Sequence, residues 1–115
     1  MLFTVAAALG GFIRFAVEYY LPPVGSSAFP RATLLVNVVG AFLLGIVLAL
    51  PGQWQVILGI GFCGALTTFS GVSLQIHRRL TAQAFRPAMI YAVTLLTAGI
   101  LVAGIGLILG RYLFS

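Results

Sequence analysis

The chain has 115 residues and a mass of 12.1 kDa, and 62% of it is hydrophobic while only 6% is charged; an ordinary soluble domain carries about a quarter charged residues. Six arginines, no lysine and a single acid, Glu18, leave a formal net charge of +5, and the mean hydropathy is +1.20. So few charges cannot dress the surface of so small a water-soluble body, which excludes a soluble domain and indicates an integral membrane protein surrounded by a lipid bilayer.

In chain order, spans of about 20 residues divide the sequence into four apolar segments that fill it as a single transmembrane domain over residues 1–115. The first, about 2–21, opens on MLFTVAAALGG without a basic leader region and runs into Arg14, so it reads as a membrane segment and not a cleaved signal. It is stopped by Pro22 and Pro23, with the polar loop Gly25-Ser26-Ser27 behind them. The second, about 32–50, follows Pro30 and Arg31 and ends at the Pro51-Gly52 turn. The third, about 55–76, starts beside the interfacial anchor Trp54 and ends before His77-Arg78-Arg79. The fourth, about 87–110, opens at Pro87, a good first-turn residue, and closes near Gly110-Arg111. Barrel strands alternate over about 10 residues, so these long uniform runs are helices.

The fold class is therefore all-α and membrane-embedded, and the loops are too short for an extramembrane domain. The arginines stand at the ends of apolar runs, where they snorkel to headgroups, and form no stripe that would take nucleic acid. Their excess suits an anion better than a cation as cargo. One histidine, one acid and one cysteine, Cys63, lie far apart, so an enzyme site, a disulfide and a cysteine metal cluster are all excluded. Four helices enclose little space, and small residues at four-residue spacing, Ala41/Gly45 and Gly106/Gly110, allow close helix contact. A dimer is the expected working unit.

Polar residues concentrate in the third span, where Gly59, Gly61, Gly64, Thr67, Thr68, Ser70, Gly71, Ser73 and Gln75 share one crossing. Glycine costs roughly 1 kcal/mol in a helix relative to alanine and hydroxyls compete for backbone bonds, so a break is expected between Gly64 and Ser70. Such a break belongs inside protein or facing a cavity or ion, although the same residues would also serve as a close-packing seam. In the second span Thr33 and Asn37 share a face, and a lone intramembrane asparagine more often serves as interhelical glue than as a transport ligand. Tyr91, Thr94 and Thr97 recur along the fourth. In the first, Arg14 and Glu18 are one turn apart and are expected to pair, offsetting the cost of immersing either.

Three stretches carry a family resemblance: GGFIRF (10–15), FPRATLLVNVVGAFLLG (29–45) and GFCGALTTFS (61–70). In order and spacing they resemble the signature stretches of the Fluc (CrcB) family of fluoride channels, over essentially the whole chain. The resemblance implies four-helix subunits assembled as antiparallel dimers in the cell inner membrane, two fluoride pathways with passive export, and a central structural sodium. It implies Asn37, Phe69, Thr68, Ser70 and Tyr91, with Thr33 and Thr94 beside them, as the ion pathway. Gly64 and Thr67 match the positions whose carbonyls hold sodium, and Arg14 matches the arginine of the first helix. Physics fits these assignments, since a small hydrated anion needs N–H, O–H and the positive edges of aromatic rings in place of water.

The sequence departs from the family where TTFSTFS becomes TTFSGVS, with Gly71 and Val72 replacing threonine and the second phenylalanine, and where Leu95 replaces a common serine. Those departures leave a non-conducting partner subunit of a heterodimeric channel as one alternative. A small proton-coupled multidrug exporter using Glu18 is another. The charge distribution bears on assembly: Arg31, Arg78, Arg79 and Arg86 flank the first and third loops, whereas only Arg111 lies with the termini. The positive-inside rule places those two loops in the cytoplasm. So biased a chain is expected to insert one way and to pair with a homologous subunit of opposite bias in preference to a second copy.

Overall fold

The computed structural model describes residues 1–21 and 31–114, so the proline and glycine-serine turn signals of 22–30 lie outside the described residues. Among those described, every regular element is helical: α1 (Leu2–Tyr20), α2 (Arg31–Val47), α3 (Gly52–Trp54), a π-helical run (Gln55–Cys63), α4 (Gly64–Leu66), α5 (Phe69–Thr81) and α6 (Phe85–Phe114). Leu2–Tyr20, Gly52–Thr81 and Phe85–Phe114 are long and apolar enough to cross a membrane. Arg31–Val47 is apolar over 17 residues, about 25 Å at the helical rise and close to the minimum for a crossing. The long dimension of the molecule is 47 Å.

The turns follow from local chemistry. Pro51 precedes α3, and the Gln55 side-chain amide donates to the Leu48 and Leu50 carbonyls at 3.1 and 2.9 Å, tying the turn after α2 to the start of the next crossing. Between α5 and α6 the Gln83 N–H bonds the Leu80 carbonyl at 3.0 Å and the Ala84 N–H bonds the Arg79 carbonyl at 2.7 Å. Gln83 itself has φ of 58°. That pair of bonds around a left-handed residue closes a helix C-terminus, and here the residue is glutamine where glycine is usual. Pro87 sits in the first turn of α6, where its missing N–H breaks no helical bond.

Glycine decides which helices meet. A Cβ on Gly45 would overlap the Ala103 carbonyl oxygen, and one on Gly106 would overlap that of Phe42. The backbones of α2 and α6 therefore touch, and the small residues read from the sequence as contact surface are used within one chain. In the same way Gly10 lets α1 lie on the Phe62 carbonyl. The π-helical run carries Gly59 against Leu44 and Val47 of α2, and Gly61 against Phe3 and Ala6 of α1. Between these contacts lie the buried side chains Ala6, Ala32, Val36, Val47, Cys63, Leu66, Ala88 and Tyr91.

Because helix association in lipid depends on close packing, Gly106→Ala is expected to weaken the fold by about 1–3 kcal/mol, the usual range for overpacking. Gly104→Ala, where a Cβ meets nothing within 4 Å, serves as the control and should leave the fold no weaker, since alanine is the better helix former. Thermal unfolding of the detergent-solubilised variants measures the difference.

Candidate functional site

Between α4 and α5 the chain is extended, with φ and ψ of −81° and 162° at Thr67 and −147° and 124° at Thr68. Two side chains satisfy the backbone there. Asn37, on α2, accepts from the Thr68 N–H at 2.8 Å and donates from Nδ2 to the Thr68 carbonyl at 3.2 Å. Thr68 in turn caps α5: its Oγ1 accepts from the Gly71 N–H at 3.0 Å and lies 3.1 Å from Ser70 Oγ. A continuous helix would have sent those two N–H groups to the carbonyls of Gly64 and Thr67, four residues back. Redirecting them releases both oxygens from the helical ladder. Thr67 also turns its Oγ1 onto the Cys63 carbonyl at 2.9 Å. Gly40 gives Thr67 its room, since a Cβ there would overlap the threonine methyl.

Three cavities meet at this point. One of about 510 Å³ is lined by Arg14, Glu18, Arg31, Thr33, Thr68, Ser70, Gly71, Gln75 and Arg78, together with apolar residues of α1, α2 and α5. A second, of about 490 Å³, is mostly apolar and runs along Thr67, Thr68, Phe69, Val72, Leu95, Leu96 and Gly99, with Asn37 at its wall. A third, of about 310 Å³, has Asn37, Gly40, Gly59, Cys63, Gly64 and Thr67 among its walls. Thr68 borders the first and second, and Asn37 borders the second and third. The Asn37–Thr68 pair therefore stands between the polar chamber and the apolar ones.

The electrostatics of the polar chamber favour an anion. Three guanidinium groups face one carboxylate across it, and the N-terminus of α5 adds the partial positive charge that helix N-termini carry. Arg14 is half-buried, and no ion pair joins it to Glu18 among the described residues. The expected pairing is thus corrected: both groups border a roomy polar cavity without direct contact between them. Among the described residues no group of three or more His, Cys, Asp or Glu could hold a metal.

The remaining residues picked from sequence are distributed unevenly. Thr33 is buried and lines the polar chamber one turn from Asn37. Phe69 opens α5 with 84% of its surface exposed at the edge of the apolar cavity, where Val72 and Leu95 are its neighbours on the wall. Tyr91 has no exposed surface and lies under the Arg79 guanidinium, 5.7 Å from ring centroid to Cζ. Neither Tyr91 nor Thr94, which is exposed on α6, lines any of the three cavities.

Sequence reasoning missed the Gln75–Arg79 pair. Arg79 reads as an interfacial charge beside Arg78, yet only 3% of its surface is exposed, and its guanidinium donates to the Gln75 carbonyl at 3.1 Å and to Gln75 Oε1 at 3.0 Å. The available signal was the four-residue spacing, which puts a glutamine and an arginine on one helix face.

With the geometry in place, comparison with known proteins gives a consistent result. Residues 1–107 match the family described as "CrcB-like protein, Camphor Resistance (CrcB)". The chain is 38% identical to the protein named "Fluoride-specific ion channel FluC 2" of Bacillus thuringiensis subsp. konkukian, over 96% of this chain and 98% of that one. It is 36% identical to "Fluoride-specific ion channel FluC 1" of Leifsonia xyli subsp. xyli, over 92% and 82% respectively. It is 33% identical to the protein of that same name in Listeria innocua serovar 6a, over 90% of both chains.

Proposed function

The chain belongs to the CrcB-like family, and from that membership we propose that it is a subunit of a fluoride-selective channel in the cell membrane, through which fluoride leaves the cytoplasm passively. It is a transport protein and not an enzyme. The observation that carries the reading is the Asn37–Thr68 clamp at the inner end of an arginine-lined chamber. Cationic walls draw the anion in, and the clamp admits it to a narrower, drier region only where N–H and O–H groups replace its water. Asn37 has one amide hydrogen beyond the one given to Thr68, and Ser70 and Thr68 carry hydroxyls. The edge of the Phe69 ring offers partial positive charge beyond them.

The subunit works as an antiparallel dimer. The support is that Phe69, Leu96 and Ile100 are all more than half exposed along the apolar cavity, so a pathway there needs a second protein wall. The released Gly64 and Thr67 carbonyls fit sodium, which takes hard oxygen ligands, and two oxygens from one chain call for completion by the partner. When bound, that ion supplies a fixed positive charge between subunits. The partner is a homologous chain of opposite charge bias. Arg31 and Arg78, which flank the first and third loops, line the same chamber as Arg14, so one end of the subunit is strongly cationic and sets its orientation.

Three measurements test these statements. In proteoliposomes, Asn37→Asp should abolish fluoride efflux, because a carboxylate faces the anion and the Thr68 carbonyl with acceptors only; wild-type efflux from an assembled variant would sink the assignment. Replacing sodium with a large organic cation should impair assembly or flux, and identical flux after exhaustive sodium removal refutes the structural ion. A tag on the C-terminus should lie outside the cell in essentially all copies. Tags on both faces, with efflux from this chain alone, would establish a homodimer instead.

A further inference from the structure

We propose that Gln75 is a fixed hydrogen-bond donor to the anion inside the arginine-lined chamber, and that the buried Arg79 is the positioning residue that holds it in the donating orientation. The proposal rests on the reading of the chain as an anion channel and adds two residues to it.

A glutamine amide is ambivalent, since it presents a carbonyl oxygen at one corner and two N–H donors at the other, and an anion is attracted to one and repelled by the other. Arg79 removes the ambiguity. A guanidinium has donors only, so the atom 3.0 Å from its NH1 nitrogen must be Oε1 of Gln75. Turning the amide over would set donor against donor.

The guanidinium is itself held. It bonds the Gln75 carbonyl at 3.1 Å, stacks over Tyr91 and keeps 3% of its surface exposed. Gln75 lines the chamber and Arg79 does not. The oxygen is therefore fixed on the protein side, and Nε2 is left for the chamber.

The position along α5 gives this donor its use. Arg78, Gln75, Gly71 and Thr68 all line the chamber, and their three- and four-residue spacing makes them one stripe on the helix. An anion moving from the cationic mouth to the Asn37–Thr68 clamp passes Gln75 on the way. Conduction needs sites that bind well enough to enter and weakly enough to leave. A neutral amide between a guanidinium and the clamp is such a site.

The test is fluoride efflux from proteoliposomes holding purified wild type, Gln75→Met, Arg79→Met, the double variant and Arg79→Lys, each first shown to elute as assembled protein. Gln75→Met should lower efflux by about fivefold, the worth of roughly one hydrogen bond. Arg79→Met should lower it to a similar degree with no further fall in the double variant, because Arg79 acts through Gln75. Arg79→Lys, still a donor-only cation, should recover most of the flux. Wild-type efflux from Gln75→Met overturns the proposal, as do losses that add in the double variant. Where Arg79→Met does not assemble, Gln75→Met decides alone. A wild-type protein without fluoride efflux would instead overturn the channel reading, so the two failures are distinguishable.

Discussion

A backbone N–H or C=O that leaves a helix inside a bilayer has no water to turn to, and the rest of this structure follows from how Thr68 meets that demand. Its N–H and C=O are both taken by one side chain, Asn37, from another helix. A carboxamide suits this task because it carries an acceptor oxygen and a donor nitrogen side by side, one for each group of the same residue. The capping hydroxyl of Thr68 then lets α5 start afresh, with a helix N-terminus at the break. One local accounting problem thereby creates a positive helix end, two released carbonyls and a fixed partition between cavities.

The partition needs α2 to stand at a set height against the third crossing. That height is fixed from the far side, where Gly45 and Gly106 let α2 and α6 meet backbone to backbone, and from within, where Gly40 admits the Thr67 methyl. A similar dependence governs the other end of α5. Arg79 under no more than slight exposure would be costly in lipid if unpaired; its bonds to Gln75 hold it along α5, and its place over the Tyr91 ring joins α5 to α6. Tyr91, named from sequence among the pathway hydroxyls, contributes to the packing that holds the chamber's wall.

What was legible in the sequence divides along physical lines. Crossings are legible because lipid imposes length and apolarity on contiguous residues, and the signals at Pro51, Trp54 and Pro87 are local. Asn37 and Thr68 are separated by 31 positions; spacing could place Thr33 and Asn37 on one helix face and could mark the Gly64 to Ser70 stretch as a weak helix former, but no local rule joins the two. The π-helical run was not legible, because its glycines and branched apolar residues would read as an ordinary helix. Nor was the burial of Arg79, since charge beside the end of an apolar run is normally interfacial, and its cover includes Tyr91 of α6, a residue remote in sequence.

The sizes of the cavities assign different tasks to different residues. A chamber of about 510 Å³ is far larger than a dehydrated halide, so on the proposed pathway its arginines would act on a hydrated ion through long-range field and would not measure radius. On the proposed pathway, discrimination would occur where the ion gives up water, and the clamp is the first such place, since the cavity walls beyond it are chiefly apolar. There the donors are few and tied by hydrogen bonds: an amide held by both ends of Thr68, and hydroxyls 3.1 Å from each other. Rigidity matters because a donor set that cannot relax outward replaces the water of a small ion better than that of a large one. The proposed path would therefore separate attraction from selection, with guanidinium charge at the mouth and neutral donors at the break.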